Sequence, residues 1–356
     1  MANKPFVLIA THSVVVNGKG VHGPAHILAD FLEKNHVSYK LIELPLASGL
    51  LDWPKQMKQV AKAAEDLRPT VFIGIDPLNG WVGRSLKRRG LVETFVYHTP
   101  DYSPKRFSFP PLNELYHWID RQALKAADYV WTVSSRITDI RHQQGRMDAR
   151  TIFNGIPFEE NRIPALNVAQ RFRLILVGNI NESMDIPLII DTVGGLKKKF
   201  PKLHIDIVGD GTMRSRLETK VQTEQLQKSV TFHGNVPLER VLELLKGAGI
   251  GLALYSGKAG FNAFGDSKKI REYSAVGLPV ITTPIVVNAE EIRKYKAGIV
   301  TPPTANGLAR AITKLAGNPT EYKKQRQAAI RLAKATDLGV VLTQAFDSIG
   351  IPTHGK

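Results

Sequence analysis

The sequence predicts an α/β protein made of two halves, each a parallel sheet covered by helices on both faces. Apolar runs typical of buried strands alternate with amphipathic runs typical of helices along most of the chain. The alternation breaks near residues 155–170, in a stretch that contains prolines and has no apolar period. A length of 356 residues suits two domains of this kind.

In the first half, strand-like and helix-like runs follow one another up to that break. The strand-like runs are PFVLIA, YKLIEL, TVFIGI, VETFVYH and YVWTVS. The helix-like runs between them are GPAHILADFLEKN, WPKQMKQVAKAAEDLR and NELYHWIDRQALKAA. Short strands separated by helices predict parallel pairing, because the chain must cross over between neighbouring strands.

The second half repeats this order. Its strand-like runs are FRLILVG, LHIDIVG, SVTFHG, IGLALY and LPVITT, and its helix-like runs include PLIIDTVGGLKKKF, LERVLELLKGA and KKIREYSAVG. We therefore expect one domain over residues 1–160 and a second over residues 161–335. The last stretch, residues 336–356, has helical spacing in DLGVVLTQAFDSI and is expected to pack back across the join.

Composition excludes several classes of site. The chain has no cysteine, which excludes disulfides, thiolate metal sites and a cysteine nucleophile, and fits a reducing cytoplasm. No apolar run approaches the roughly 18 residues that cross a bilayer. The N-terminal run FVLIATHSVVV lacks a signal-peptide cleavage pattern and is interpreted as a strand and a loop. We therefore expect a cytoplasmic protein.

The net charge of +16 is spread over both halves and suggests a polyanionic ligand, nucleic acid or an anionic membrane surface. A basic surface without a particular partner is the alternative. The motifs below favour a nucleotide and a membrane surface, so we do not expect nucleic acid to be the partner.

The segment FGDSKKIREYSAVGLPVI places Lys268 and Lys269 at the start of a helix. A helix start already carries partial positive charge, so two lysines there indicate a bound anion such as a diphosphate. Glu272 follows one turn later, where its two oxygens match the vicinal hydroxyls of a ribose. The alternative is a solvated helix start with Glu272 as a capping partner.

Two glycine turns precede this helix. Residues 209–211 form a Gly-Asp-Gly turn after the strand LHIDIV, and Gly234 ends the next strand, so that backbone groups near Asn235 and Val236 can face a planar base. The three features together predict a nucleotide site.

A third glycine motif lies near the N-terminus. GKGVHG contains Gly18, Gly20 and Gly23 in the G-x-G-x-x-G pattern, and Glu43 follows at the offset of a ribose-binding acid. In a dinucleotide-binding fold the first glycine follows the strand directly, whereas here THSVVVN intervenes. We therefore favour a loop that opens a helix near a bound phosphate or sugar over a nicotinamide-cofactor site.

The second half resembles the donor-binding domain of retaining, family-4-type glycosyltransferases (glycosyl transferases group 1). The matching stretches are VSSRITDIRHQQG, TIFNGIP, LILVGNI, IVGDGTMRSRLE, VTFHGNVPLERV and KKIREYSAVGLPVIT, in family order over roughly residues 130–285. The first half matches more loosely, through its glycine-rich loop and FVYHTPDYSPKRF.

The resemblance implies the GT-B fold, with two Rossmann-like domains facing across a cleft. It also implies transfer of a hexose from a nucleotide-diphosphate donor with retention at the anomeric carbon. No metal or other cofactor is implied, and the sequence contains no Asp-x-Asp pair to hold one. A helix terminus with a lysine can neutralise the leaving diphosphate instead.

Several residues match family positions. Glu272 matches the ribose-binding glutamate, Val236 the base contact and Gly20 the loop glycine, while His98 matches a histidine near the donor sugar and is our catalytic candidate. The alternative for His98 is a neutral histidine that ends a buried strand. The remaining predicted donor contacts are Gly178, Asn179, Gly209, Asp210, Asp266, Lys268, Lys269 and Ile270.

The chain departs from the family pattern at three places. Asn179 and Met184 stand where the family has an arginine and a lysine on the diphosphate, and Phe264 replaces the first motif glutamate. We hypothesise that Lys269, with Lys268, supplies the missing charge. The same losses leave a non-catalytic nucleotide-sugar or polyanion-binding protein open. A sugar-nucleotide epimerase would need carboxylates beside the sugar, for which Asp101 and Asp266 are the candidates.

On the acceptor side, YHTPDYSPKRFSFPPL places Asp101, Tyr102, Lys105 and Arg106 after a strand end. Asp101 is expected to orient an acceptor hydroxyl, and the basic pair to meet a phosphate.

The segment GRSLKRRG and nearby aromatic residues suggest a surface that docks on anionic lipid, and hence a lipid-linked acceptor. A solvated helix face is the alternative. The residues concerned are Trp81, Arg84, Lys87, Arg88, Arg89, Phe107 and Phe109.

Overall fold

The computed structural model describes residues 5–13, 15–16, 19–20, 23–45, 52–256 and 263–353. The predicted α/β class is confirmed, because the described residues form two six-stranded parallel sheets flanked by helices. The chain divides into two compact units. Unit 1 contains residues 1–153 and 339–356, and unit 2 contains residues 154–338.

The sheet of unit 1 has the strand order β4-β1-β5-β6-β7-β8, and a separate two-stranded antiparallel sheet pairs β2 with β3. Its strands are β1 (Phe6–Ser13), β2 (Val15–Val16), β3 (Lys19–Gly20), β4 (Ser38–Pro45), β5 (Val71–Ile75), β6 (Thr94–Thr99), β7 (Tyr129–Thr132) and β8 (Arg150–Thr151). Its helices are α1 (Pro24–Lys34), α2 (Asp52–Leu67), α3 (Pro77–Arg88), α4 (Pro110–Ala126) and α5 (Ser135–Gln143).

The strands of unit 1 read as continuous apolar runs because helices cover both faces of the sheet. All five residues of β5 are buried, for example. The last helix of the chain, α13 (Leu338–Ser348), also belongs to this unit. Its Phe346 stacks on Phe31 with ring centroids 5.4 Å apart and meets Trp131 edge-on at the same distance.

The sheet of unit 2 has the order β11-β10-β9-β12-β13-β14. Its strands are β9 (Arg173–Val177), β10 (His204–Val208), β11 (Val230–Gly234), β12 (Ile250–Ala253), β13 (Val280–Thr282) and β14 (Gly298–Val300). Its helices are α6 (Ile186–Leu196), α7 (Arg214–Thr223), α8 (Leu238–Gly247), α9 (Lys268–Ala275), α10 (Asn288–Tyr295), α11 (Ala305–Gly317) and α12 (Pro319–Ala335). Two 3-10 helices, Glu160–Arg162 and Val168–Phe172, precede β9.

The strand order of unit 2 reverses direction at β9, because β10 and β11 lie on one side of it and β12 to β14 on the other. In open parallel sheets, ligands bind at the carboxyl ends of the strands beside such a reversal. The glycine turn after β9 and the start of α9 both lie at this place. Among the helices that the structure describes, none is long and apolar enough to cross a membrane.

Candidate functional site

Two glycine turns bring backbone segments of unit 2 unusually close together. Gly178 follows β9 with φ 139°, and its N–H donates to the carbonyl of Val208 at 2.9 Å. Gly209 follows β10 with φ 127°, and a Cβ on it would lie 2.0 Å from the carbonyl oxygen of Gly178. Both positions favour glycine because their positive φ is one that other residues rarely adopt, and at Gly209 a side chain would also meet backbone.

These turns line a cavity of about 430 Å³, here called the turn cavity. Asn235 and Val236 after β11 contribute to its wall, as does Asp210, which forms an ion pair with Arg214 at 3.2 Å. The structure thus places the predicted base contacts together at one edge of the sheet. Its walls include the predicted residues Gly178, Asn179, Gly209, Asp210 and Val236.

A second cavity of about 300 Å³, the helix cavity, lies at the start of α9 and shares Asn179 with the turn cavity. Ser267 occupies the N-cap position of α9 but does not cap it, because its hydroxyl bonds to the Tyr255 hydroxyl at 2.7 Å. Among the described residues, no acceptor faces the backbone N–H groups of Lys268 and Lys269. The helix therefore presents uncapped donors and its dipole to the cavity.

Lys269 extends over the turn after β9. Its Nζ lies 3.1 Å from Sδ of Met184 and 5.3 Å from the centroid of the Tyr255 ring. A Cβ on Gly178 would come within 2.9 Å of this Nζ, so the missing side chain there makes room for the ammonium. Burial lowers the pKa of Lys269 to about 8, and the charge of Glu272 only partly offsets it. A desolvated ammonium with no carboxylate in contact is suited to an anionic ligand.

The contact with Met184 bears on the departures from the family pattern. Met184 stands where the family has a lysine, and the structure places the ammonium of Lys269 against its sulfur. Lys268 lies differently, since its side chain is 47% exposed and its Nζ is 4.0 Å from Glu272. Of the two lysines, Lys269 is the one directed into the site.

Glu272 lies one turn into α9, with its side chain 25% exposed. Burial raises the pKa of this carboxyl, while the charges of Lys268 and Lys269 lower it in part. Among the described residues, Lys268 is its nearest cation, and no donor makes a short hydrogen bond to its carboxylate. Glu272 is not among the described residues that line the turn cavity or the helix cavity, so its contact with a ribose stays a prediction.

Two further predicted donor contacts, Asp266 and Ile270, have buried side chains. The side chain of Asp266 is 1% exposed and accepts hydrogen bonds from Arg271 (2.7 Å), Asn288 (2.6 Å) and the Asn154 N–H (2.9 Å). Ile270 is fully buried in the core of unit 2. Both side chains help to hold α9 in place. Asp266 also lines the helix cavity, so the donor contacts of both residues stay predictions. In the epimerase alternative, the Asp266 carboxylate would be one that is already paired with Arg271.

His98, near the end of β6 in unit 1, is buried. Its Nδ1 lies 3.2 Å from the carbonyl oxygen of Trp131, so the Nδ1–H donates and Nε2 carries the lone pair. Burial lowers the pKa of His98 to about 4, which keeps the ring neutral near pH 7. A neutral, buried histidine is what the alternative interpretation of the sequence predicted for His98. Its catalytic role stays a prediction.

The predicted acceptor residues lie together in unit 1, at the end of β6. Arg106 pairs with Asp101 at 2.5 Å and lies 5.5 Å from the Tyr116 ring, and Tyr102 lies 5.9 Å from the His117 ring. Lys105 is exposed. The predicted basic pair is therefore not free to act as a unit, since Arg106 already has a carboxylate partner.

Sequence reasoning missed a polar cluster beside this loop. Asp76 follows β5 with φ 78°, caps α3 through the N–H groups of Leu78 and Asn79, and pairs with His12 at 2.7 Å. Burial alone would lower the pKa of His12, but Asp76 and Gln56 raise it. The available signal was an aspartate between a buried strand and a proline, which marks both a helix cap and a strand-end carboxylate.

Only part of the N-terminal glycine motif lies among the described residues, and Glu43 is engaged elsewhere than at a ligand. Gly20 belongs to β3, which pairs with β2, and Gly18 lies outside the described residues. Glu43 is engaged by Ser13 at 3.1 Å and by His26 at 3.2 Å. Its carboxylate is thus held by neighbouring side chains at the sheet edge.

Several of the residues predicted to dock on lipid make contacts within the protein instead. Lys87 and Arg89 pair with Asp128 and Glu65 at 2.7 Å each. Phe107 is only partly exposed and packs against other aromatic rings.

Other apolar residues near α4 are exposed. They are Leu115 and Trp118 on the helix and Phe109, which has 64% of its own surface exposed. Trp118 contacts Trp81 at 5.3 Å, and the Arg84 guanidinium lies 5.0 Å from the Trp81 ring. We call these residues, Trp81, Arg84, Phe109, Leu115 and Trp118, the α3–α4 patch. Trp118 is thus exposed next to Trp81 and the Arg84 guanidinium, and Phe109 and Leu115 are further exposed apolar side chains at the N-cap and on α4.

Comparisons with known proteins place this geometry in context. Residues 157–332 match the family model described as glycosyl transferases group 1, and residues 10–155 match the model described as glycosyl transferase 4-like domain. No curated protein matches the sequence.

Several solved structures share the fold. HepE of Anabaena in complex with UDP and glucose has a TM-score of 0.72 at 16% identity, covering 97% of this chain and 99% of that chain. Sucrose-phosphate synthase of Thermosynechococcus elongatus has a TM-score of 0.70 at 15% identity, covering 97% and 99%. WaaG, a glycosyltransferase involved in lipopolysaccharide biosynthesis, has a TM-score of 0.65 at 15% identity, covering 96% and 99%.

Proposed function

Since this chain belongs to the glycosyl transferases group 1 and is a glycosyltransferase of the GT-B fold, we propose that unit 2 binds its nucleotide-diphosphate sugar. In this proposal a hexose passes, with retention and without a metal ion, to a glycan or lipid-linked acceptor. The absence of cysteine fits a reaction in the reducing cytoplasm.

The start of α9 is the observation that carries the proposal. Uncapped N–H groups, the helix dipole and the Lys269 ammonium converge on one cavity, which shares Asn179 with the turn cavity. A diphosphate on α9 would leave its base near Val236 and its ribose near Glu272. The same positive charge stabilises the diphosphate as it leaves, which is the electrostatic task that a metal performs in other sites.

The acceptor is proposed to bind unit 1 near Asp101. For the chemical step we propose same-face attack, in which the leaving phosphate takes the proton of the acceptor hydroxyl and no protein nucleophile is needed. His98 would then act as a neutral group beside the donor sugar. Its low pKa supports this role, because burial keeps the imidazole neutral near pH 7.

Donor binding and turnover test the proposal directly. We expect one nucleoside diphosphate of a panel, with UDP as the first probe, to raise the thermal midpoint of the protein. The matching nucleotide sugar should slowly release free sugar without an acceptor. Binding without turnover would favour a non-catalytic protein, an isomerised sugar would favour an epimerase, and no binding to any diphosphate would refute the donor site.

The pH dependence of binding should report Lys269. The ammonium form binds the diphosphate, and its pKa in the free protein is about 8. Well above that pH the charged fraction falls about tenfold per unit, so Kd should rise by up to about 15-fold between pH 8 and pH 9.5. Titration calorimetry at constant ionic strength measures this. Lys269→Arg keeps its charge and should remove the slope, and equal slopes in both proteins would contradict the assignment.

The predicted ribose contact of Glu272 can be tested by changing both the protein and the ligand. Glu272→Gln should weaken nucleoside diphosphate binding by about 1–2 kcal/mol, roughly 5- to 30-fold in Kd, because a carboxylate accepts both hydroxyls. The 2′-deoxynucleoside diphosphate should lose a similar amount with the wild-type protein. With Glu272→Gln, removing the 2′-hydroxyl should cost much less affinity, because the contact between this hydroxyl and the carboxylate is already gone. Additive losses would place Glu272 away from the ribose.

We also propose that the α3–α4 patch brings unit 1 to an anionic membrane surface, where a lipid-linked acceptor resides. Aromatic side chains insert at the headgroup level, and cations beside them attract anionic lipid. Phe109, Leu115 and Trp118 expose apolar surface that no other described element covers. Arg84 beside Trp81 adds the charge.

Vesicle co-sedimentation tests this docking. At low salt the protein should bind vesicles containing phosphatidylglycerol but not pure phosphatidylcholine vesicles. Trp118→Ser should reduce binding about tenfold, because a large apolar contact is lost. Met147→Ser, which changes a residue 74% exposed elsewhere in unit 1, is the matched control and should have little effect. Equal effects of the two variants would remove the patch from consideration.

A further inference from the structure

A small pocket lies at the carboxyl edge of the unit 1 sheet, partly walled by residues 100–106 after β6. Its free volume of about 10 Å³ corresponds to one water molecule. α4 holds the covering segment in place, because Asn113 accepts the Arg106 N–H at 2.8 Å and donates to the Pro104 carbonyl at 2.9 Å. A hydroxyl group fits this space, whereas a phosphate with its four oxygens does not.

The charged groups of the wall neutralise one another. Asp101 pairs with Arg106, and Asp76 pairs with His12. Asp120 receives two hydrogen bonds from Arg141, at 2.6 and 2.8 Å. Among the described residues of the wall, each guanidinium thus already has a carboxylate partner, and an anionic ligand would find no surplus positive charge.

One buried donor in the wall nevertheless needs an acceptor. The side chain of Arg141 is 1% exposed, and its two terminal nitrogens are occupied by Asp120. Its Nε has no hydrogen-bond acceptor among the described residues. An unpartnered buried N–H carries a desolvation cost that an oxygen in the pocket would remove. A hydroxyl oxygen can accept from Nε and also donate to a carboxylate of the wall, which an ionised phosphate oxygen cannot do.

Resting on the proposed transferase function, we propose that this pocket receives one hydroxyl or hydroxymethyl group of the acceptor, whose terminal residue is therefore an uncharged sugar. The Tyr102 and Tyr116 rings also line this pocket. The enzyme would then extend a glycan, and the phosphate of a lipid-linked acceptor would lie outside this pocket. Arg106, predicted to meet a phosphate, pairs here with Asp101.

Ligand-observed NMR with simple probes tests this assignment. Methyl glucoside, methyl galactoside and methyl mannoside are compared with inorganic phosphate and glycerol 3-phosphate, each on the full-length protein. We expect at least one neutral glycoside to bind and neither phosphate to compete with it. Asp101→Asn should weaken that binding about fivefold or more, because a charged acceptor is lost. Asp139→Asn, on the exposed face of α5, is the matched control.

Three results would overturn the inference: no glycoside binds the wild-type protein, phosphate displaces the glycoside, or the two aspartate variants behave alike. Nucleoside diphosphate binding is measured on the same samples. If it persists while glycosides fail, only the acceptor inference falls. If nucleoside diphosphates also fail to bind, the proposed donor site falls with it.

Discussion

Replacing Lys269 with alanine is expected to weaken nucleoside diphosphate binding by about 2–4 kcal/mol, roughly 30- to 1,000-fold in Kd. The reason is that its ammonium is largely buried at the uncapped start of α9, with Met184 and Tyr255 as neighbours and, among the described residues, no carboxylate in contact. Asn179 and Met184 stand where the family pattern has cations, and among the described residues that line the two cavities Lys268 is the only other lysine or arginine. Titration calorimetry at pH 7 measures the loss.

Lys268→Ala is the matched control, since it removes the same group one residue away. This lysine is 47% exposed and lies at 4.0 Å from Glu272, so the expected loss is below about 1 kcal/mol. The corresponding nucleoside, which lacks phosphates, should bind the wild-type protein and Lys269→Ala equally. Equal losses for the two lysine variants, or an equal loss for the nucleoside, would contradict a diphosphate contact by Lys269.

Replacing Asp266 with alanine is expected to destabilise unit 2 by about 3–5 kcal/mol, which lowers its urea midpoint markedly. Arg271 is buried between Asp266 and Glu291, each at 2.7 Å, and truncating one carboxylate leaves its guanidinium incompletely neutralised. Asn288 and the Asn154 N–H lose their acceptor at the same time. Because Asn288 also fixes Ser267 at 2.7 Å, the start of α9 should loosen as well.

Asp210→Ala serves as the stability control, because the Asp210–Arg214 pair is exposed and should contribute little to stability. Asp266→Asn should fall between the two, since the amide keeps the shape of the side chain but not its charge. A midpoint for Asp266→Ala equal to that of Asp210→Ala would show that the buried network does not hold α9.

Much of the fold could be predicted from local signals. Strands such as Val71–Ile75 are short, apolar and bounded by turn residues, so their type is readable without knowledge of their neighbours. The glycines at positions 178 and 209 were readable as turns for a similar reason. Their φ angles of 139° and 127° are conformations that other residues rarely adopt.

The candidate site was only partly predictable. Spacing placed Lys268 and Lys269 at a helix start, but it did not determine which of them enters the cavity, because that depends on the rotation of α9 against β9 and β12. Nor did the sequence show that the Asp266 carboxylate is buried and paired. The partners that bury Asp266 come from residues 154 and 288, far away in the sequence.

Unit 1 shows the same division. The basic run ending at Arg89 was visible in the sequence, but its pairing with Glu65 was not. Leu115 and Trp118 have the spacing of an ordinary buried helix face. In the folded structure both remain partly exposed, although Trp118 contacts Trp81 of α3. His12 and Asp76 lie 64 residues apart, so no local pattern joins them.

By itself, the sequence determined the α/β class, the order of strands and helices, the glycine turns and the position of a charged helix start. These depend on interactions within a few residues, which apolar periodicity and backbone preference express directly. The tertiary structure decided which charges are neutralised: Lys269 stays available, while Asp266, Arg106 and Arg89 are paired. Electrostatic pairing and burial act between segments distant along the chain, so their outcome appears only when the sheets and helices have packed.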